Sequence, residues 1–200
     1  QFTSDSCANS RSGTVTCNRV SLVDITPVCS ANKPCNPANT MLPSIPYGIE
    51  EHRFEGKVYL GGTYAACCWY KFTFSECCRS GPINTGHSWA NFSTELWLNR
   101  CITPCDNGPQ FNNPPIAIKC AGQDVVYNHG VVDADGDSLV YVKALPNGAN
   151  YIAPWSVNYP LTVFPGNNPN VSPNPNAVPP IGFWLDPLSG AMIFRPMQQP

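Results

Sequence analysis

Cysteine placement constrains this chain more than any other feature. All eleven cysteines fall between Cys7 and Cys120, and the 80 residues after Cys120 contain none. A reducing compartment would demand metal or redox motifs to explain such a load; an exported protein explains it through structural disulfides. An odd count leaves one thiol free, paired with another chain, or bonded to a partner outside the segment. Spacing argues against zinc. The tightest knuckle is Cys101-x3-Cys105, followed by Cys29-x5-Cys35, Cys7-x9-Cys17 and the adjacent pairs Cys67-Cys68 and Cys77-Cys78, with no C-x2-C and three scattered histidines, His52, His87 and His129. Structural zinc sites need two close knuckles. The eleven candidates for disulfides are therefore Cys7, Cys17, Cys29, Cys35, Cys67, Cys68, Cys77, Cys78, Cys101, Cys105 and Cys120. Neighbouring cysteines on a strand point to opposite faces, so each adjacent pair can bond in two directions. Cys68 is expected on the Tyr70/Phe72/Phe74 face and Cys67 on the other. Local bridges such as Cys29–Cys35 or Cys101–Cys105 fit the spacing without being fixed by it.

Charge changes at the same place. Residues 1–120 carry eight Asp/Glu against nine Lys/Arg, whereas residues 121–200 carry five against two. Two domains explain this shift better than one, and the turn-forming stretch Asn107–Pro115 is the natural boundary. The expected division is 1–110, disulfide-rich, and 111–200. Only 12% of residues are charged and the net charge is −2, so no basic surface for nucleic acid is implied. No apolar run approaches the ~20 residues that span a bilayer. The N-terminus lacks the segments of a signal peptide, and with the cysteine load it reads as that of a mature or excised segment.

The periodicity is that of strands. Glu50–Leu60, Tyr64–Ser75, Ser93–Leu98 and Ile116–Lys119 are candidate strands. Asp124–Val132 and Ser138–Leu145 flank the acidic turn Asp133-Ala-Asp135-Gly-Asp137 and predict one hairpin. Gly182–Leu185 and Ala191–Phe194 flank Asp186-Pro-Leu-Ser-Gly190 and predict another. No window keeps a helical period, and 22 prolines interrupt the chain. The fold class expected is all-β, as two sandwiches in tandem. The segment 165–180 (PGNNPNVSPNPNAVPP) reads as a solvated surface loop stiffened by proline.

Three carboxylates at i, i+2 and i+4 repel unless a cation or hydrogen-bond donors stand between them. Hard oxygen ligands on a glycine-bent loop suit Ca²⁺, which makes Asp133, Asp135 and Asp137 a candidate calcium site. Asp186 joins them only if the two hairpins meet. It is not an EF-hand, because position 6 counted from Asp133 is Ser138 and position 12 is Ala144. The alternative is a plain turn in which Gly136 takes a positive φ and the aspartates accept backbone N–H groups. Calcium is the one candidate cofactor. No G-x-S-x-G, H-E-x-x-H, P-loop or dinucleotide fingerprint occurs; Cys78 and His87 stand nine residues apart, and Glu50 and Glu51 face opposite ways on a strand. The expectation is no catalytic residue and no enzyme. Asn91-Phe-Ser93 and Asn170-Val-Ser172 fit the N-glycosylation pattern, which an Asn-rich chain meets often by chance.

Four strings carry a resemblance: GIEEHRFEGKVYL (48–60), FSECCRSGPINT (74–85), FNNPPIAIKCAGQDVVYNHGVVDADGDSLVYVKALP (111–146) and LDPLSGAMIFRP (185–196). They resemble the large, exported, multidomain surface proteins of Bacteroidota that carry PKD-like and cadherin-like modules, the gliding-motility-associated adhesin type. Ser80 and Ser189 depart from that pattern, which has Asn and Thr there. The resemblance implies an Ig-like first module and a cadherin-like or PKD-like second one that lacks its final strands. It also implies type IX export, a longer parent polypeptide and a cell-surface location. The function it implies is a non-enzymatic spacer or adhesin segment. The alternatives are a filament or sheath subunit and a carbohydrate-binding module. Expected partners are other copies or further domains of the same protein, and a surface polysaccharide or protein ligand. Trp69, Trp89, Trp97, Trp155 and Trp184 read first as core anchors, with Trp155 and Trp184 expected to be the most exposed. Asp137-Ser138-Leu139 also matches the short O-glycosylation motif of such bacteria.

Overall fold

Alternating β-branched and aromatic residues form short ladders wherever proline and glycine leave room for them. The computed structural model describes residues 1–4, 11–26, 48–79, 83, 85–86, 89–116, 119–147, 151–166 and 168–198. The described residues are all-β, with antiparallel ladders and one 3-10 turn at Gly62–Tyr64. The strands are β1 (Phe2–Ser4), β2 (Arg11–Gly13), β3 (Asn18–Asp24), β4 (Glu50–Glu55), β5 (Trp69–Glu76), β6 (Phe92–Asn99), β7 (Gln110–Phe111), β8 (Val125–Tyr127), β9 (Val131–Val132), β10 (Trp184–Leu185) and β11 (Met192–Phe194). The chain falls into two compact units, Gln1–Tyr70 and Lys71–Pro200, set against an expected boundary at 110/111.

In the first unit, β1 pairs with β2 and β3 with β4. Its buried side chains are Phe2, Ser4, Thr26, Cys67 and Tyr70. The Phe2 ring meets Tyr64 edge-on at 5.6 Å, and the Tyr70 hydroxyl donates to the Tyr64 carbonyl. Ser4 Oγ accepts the Arg11 N–H at 2.9 Å and ties the two ends of the β1–β2 pair. The β3–β4 ribbon is different, because every position of β4 is exposed. β4 also ends at Glu55, short of the expected Leu60, where Gly56 packs against Cys17 and Thr16.

Period-2 alternation does not run back through Cys67 and Cys68 as expected. The 3-10 turn precedes β5, and the Cys67 N–H bonds the Tyr64 carbonyl at 3.0 Å. Cys67 is therefore buried together with Tyr70, while Cys68 is only partly covered. Along β5, burial falls from Tyr70 to Phe74, which is exposed.

In the second unit, β11 lies between β10 and β8. Its core is Val125, Tyr159, Val163 and, beside them, Thr162. Residues 162–164 run along 195–197 through Phe164 N–H to Arg195 O and Met197 N–H to Thr162 O, both at 2.9 Å. The Arg195 guanidinium holds Asp124 at 2.6 Å. The Pro/Asn segment is a surface loop with ordered turns. It carries two Asn-Pro-Asn turns, in which Asn168 Oδ1 takes the Asn170 N–H and Asn174 Oδ1 takes the Asn176 N–H, each at 3.1 Å. Asn174 and Ile181 then exchange two backbone bonds that close the segment. Proline presets the turn and Asn mimics a backbone carbonyl, which is why a low-complexity sequence here is ordered.

Two further expectations change. Ile116 and Lys119 are not in a strand, and the residues between them lie outside those described. The exposed tryptophans are Trp69, Trp89 and Trp97, whereas Trp155 and Trp184 are half-buried. Trp155 is held in place by a 3.4 Å contact from its indole N–H to Thr162 Oγ1. No described helix is long and apolar enough to cross a membrane.

Candidate functional site: the acidic turn

The second hairpin forms as the sequence predicts, and the first does not. β10 and β11 pair through Trp184–Ile193 and Leu185–Met192. Between them Asp186 Oδ1 accepts the N–H groups of Leu188 and Ser189, both at 2.8 Å, and Gly190 closes the loop at φ 71°. Around the acidic turn, by contrast, Ser138–Leu145 forms no strand, and β8 and β9 find other partners. β8 pairs with β11 in the register Tyr127–Met192, Val126–Ile193 and Val125–Phe194. β9 pairs with β7, Gln110 opposite Val132 and Phe111 opposite Val131. The pairing continues past β9, since the Asn113 N–H bonds the His129 carbonyl at 2.9 Å. His129 is wedged edge-on against both Phe111 and Tyr127.

The β7–β9 register decides the electrostatics of the turn. Extended by three residues, it sets Asn107 opposite Asp135. There Asp135 accepts two bonds from Asn107, 2.6 Å from the backbone N–H and 3.0 Å from the side-chain amide. Asp133 Oδ1 accepts the N–H groups of Asp135 at 2.9 Å and Asp137 at 3.2 Å, and Gly136 turns the chain at φ 82°. Hydrogen-bond donors thus stand at the carboxylates of Asp133 and Asp135. The Asn107 bonds lower the pKa of Asp135. Asp106, carried in beside Asn107, is the acidic residue that sequence reasoning missed. Desolvation, then the charges of Asp137, Asp133 and Asp135, raise its pKa.

Asp186 stays apart from this cluster. Its carboxylate is held by the backbone N–H groups of Ser189 and Leu188, which lower its pKa. Its loop packs on Tyr141 and Asn128 instead: the Tyr141 N–H bonds the Pro187 carbonyl at 2.9 Å, and the Asn128 amide bonds the Ser189 carbonyl at 2.7 Å. Among the described residues, no group of three His, Cys, Asp or Glu side chains is arranged to hold a metal ion. The residues present fit a hydrogen-bonded turn.

The cysteines follow three courses. Cys67, Cys68 and Cys101 are disulfide-bonded, and Cys77 is bonded to its neighbour Cys78. Cys17, Cys105 and Cys120 are exposed free thiols, against the expectation of one odd thiol. Cys101 has its bond elsewhere, which leaves Cys105 unbonded although the two stand on one turn, where the Thr103 N–H bonds the Asn99 carbonyl. Cys120 is fixed in its own turn by Gln123, whose Oε1 takes its N–H at 3.1 Å. Cys17 lies on the exposed approach to β3. Cys7, Cys29 and Cys35 lie outside the described residues. Asn91 and Asn170, the two glycosylation candidates, are both exposed. No protein-family model, curated protein or solved structure matches this chain.

Proposed function

We propose that this chain is a non-enzymatic extracellular module of a bacterial cell-surface protein, a disulfide-stapled spacer or adhesin segment of the kind its sequence resembles. One observation supports this reading: disulfide bonding at Cys67, Cys68, Cys101 and Cys77–Cys78 in an all-β chain. Such bonds persist in oxidising compartments and suit chains whose ladders are short and whose core is small. On this reading the two units are Ig-like and cadherin-like or PKD-like modules, and their turns, fixed by Asn and Asp side chains, present rigid loops to a polysaccharide or protein surface. Non-reducing peptide mapping of the native protein, with immunogold electron microscopy of the cells, tests it. We expect Cys67, Cys68 and Cys101 in bridges and label on the cell surface. Reduced thiols at all three, or label confined to the cell interior, would overturn the reading.

A second reading, a subunit of an extracellular filament or sheath, is favoured by the exposed β3–β4 ribbon. Ordered polymers in the same micrographs would promote it over isolated stalks.

A further inference from the structure

Ser138–Leu145 has the sequence of a strand and forms no ladder, because β8 and β9 pair elsewhere. It keeps the period of one. Leu139, Tyr141 and Lys143 are half-buried, whereas Val140 and Val142 are 69% and 75% exposed. Successive residues of a strand turn their N–H groups to opposite edges. Tyr141 gives its N–H to the Pro187 carbonyl and Asp137 gives its own to Asp133 Oδ1, so the odd-numbered residues serve the inner edge. Ser138, Val140 and Val142 turn the other way, and no described residue takes their backbone N–H or carbonyl groups.

The charges at the two ends of this edge lack opposite partners among the described residues. Asp137 stands in an acidic group, where its charge and those of Asp133 and Asp135 act on Asp106, and no described cation pairs with it. Lys143 has no carboxylate partner and rests over the Phe183 ring at 6.0 Å. The other cation after Cys120, Arg195, is already held by Asp124. The run Asp137-Ser-Leu-Val-Tyr-Val-Lys143 is complementary to itself when run antiparallel. About a two-fold axis at Val140, Asp137 meets Lys143 of a second copy, Ser138 meets Val142, and Leu139 meets Tyr141. Each matched pair shares a face, as such an axis requires. The Val140–Val140 and Ser138–Val142 pairs are the ones whose backbone groups point to the free edge, so they carry the ladder's hydrogen bonds. Other registers lose the charge match. Centred on Tyr141 or Val142, the pairing sets Lys143 against Leu139 or Tyr141, and centred on Leu139 it runs into the bend at Gly136.

We propose that residues 137–143 are a two-fold, antiparallel pairing edge for a second copy of this chain. The pairing joins backbone groups that the single chain leaves to water and brings a lysine to each acidic turn. The occupant follows from charge, face and hydrogen-bond phase, and does not depend on the cell-surface reading.

Sedimentation of the full chain over a concentration series tests the pairing. The wild type should form a dimer that weakens as salt rises. Asp137→Lys places like charges at both ends of the paired edge, and so does Lys143→Asp. Each variant should self-associate about tenfold or more weakly. Mixed together, the two variants should form a heterodimer, because each supplies the charge that the other lacks. Val140→Lys sets two like charges against each other at the centre. Val140 is exposed in the single chain, so this variant should fold as the wild type does and still lose the dimer. Carbodiimide treatment of mixed isotope-labelled and unlabelled wild-type chains should cross-link Lys143 of one chain to Asp137 of another. A wild type that stays monomeric, a dimer insensitive to Val140→Lys, or a dimer that gives no interchain link between Lys143 and Asp137 would each overturn the proposal.

Discussion

Two turns of this protein carry nearly the same local chemistry and do different work. Asp133–Asp137 and Asp186–Gly190 each begin with an aspartate that accepts two backbone N–H groups, and each uses a glycine at positive φ. The second closes a hairpin, with β10 on β11. The first closes none, because the strand before it is held by β7 and the residues after it, Ser138–Leu145, stay outside any ladder. Turn chemistry therefore fixes where the chain bends, whereas competition among longer-range partners decides what the bend joins. Gly190 shows the tighter integration. A Cβ there would meet the Tyr141 ring at 2.5 Å, whereas a Cβ on Gly136 meets nothing within 4 Å.

That contrast can be broken experimentally, and the largest effect is expected at Gly190. Gly190→Ala adds a clash to an unfavourable backbone conformation and should cost about 2–4 kcal/mol. Chemical denaturation would measure it, and a loss no larger than that of Gly136→Ala would mean the Tyr141 contact is not tight. Gly136→Ala strains the backbone alone, so about 1 kcal/mol is expected.

Titration should give a smaller effect with a defined sign. Asp135 and Asp186 have lowered pKa values, so their contribution is present above the ordinary carboxylate pKa and is lost as pH falls through their folded values. Asp106 works the other way. Its raised pKa means that its charge opposes folding at neutral pH, and stability is gained as pH falls through that raised value. Asp106→Asn should therefore raise the melting temperature slightly at pH 7 and remove the gain seen on mild acidification; a lower melting temperature at pH 7 would contradict this. The smallest change is expected from calcium. Melting curves with excess Ca²⁺ and with chelator should coincide if Asn107 and the turn's own N–H groups serve the carboxylates, and a lower melting temperature on chelation would restore Asp133, Asp135 and Asp137 as a calcium site.

What could be read from the sequence was local. The Asp186–Gly190 hairpin, the bend at Gly136 and the all-β character all rest on interactions a few residues long. The placement of Asp106 and Asn107 rests on β7, a strand of two residues with no periodicity to announce it. The burial of Cys67 instead of Cys68 turns on where the 3-10 turn at Gly62–Tyr64 gives way to β5, a boundary that alternation alone does not mark. Trp155 and Trp184 looked exposed because they sit near proline and asparagine, but the Asn-Pro-Asn turns are pinned by their own side chains, Trp155 reaches Thr162, and Trp184 pairs with Ile193 in the β10–β11 ladder. Composition described that segment as a proline-stiffened surface loop, and its own asparagine side chains supply the turns that order it.

The bond between Cys77 and Cys78 bears on how a cysteine count converts into stability. A disulfide stabilises chiefly by closing a loop in the unfolded chain, and the gain grows with the length of that loop. Partners that are adjacent in sequence enclose no intervening residues, so this bond removes almost no freedom from the unfolded ensemble. Two of the eleven cysteines thus add little as tethers. Breaking this bond alone would leave the unfolded chain nearly as free as before, and its consequence would be a local change in the backbone just past the end of β5.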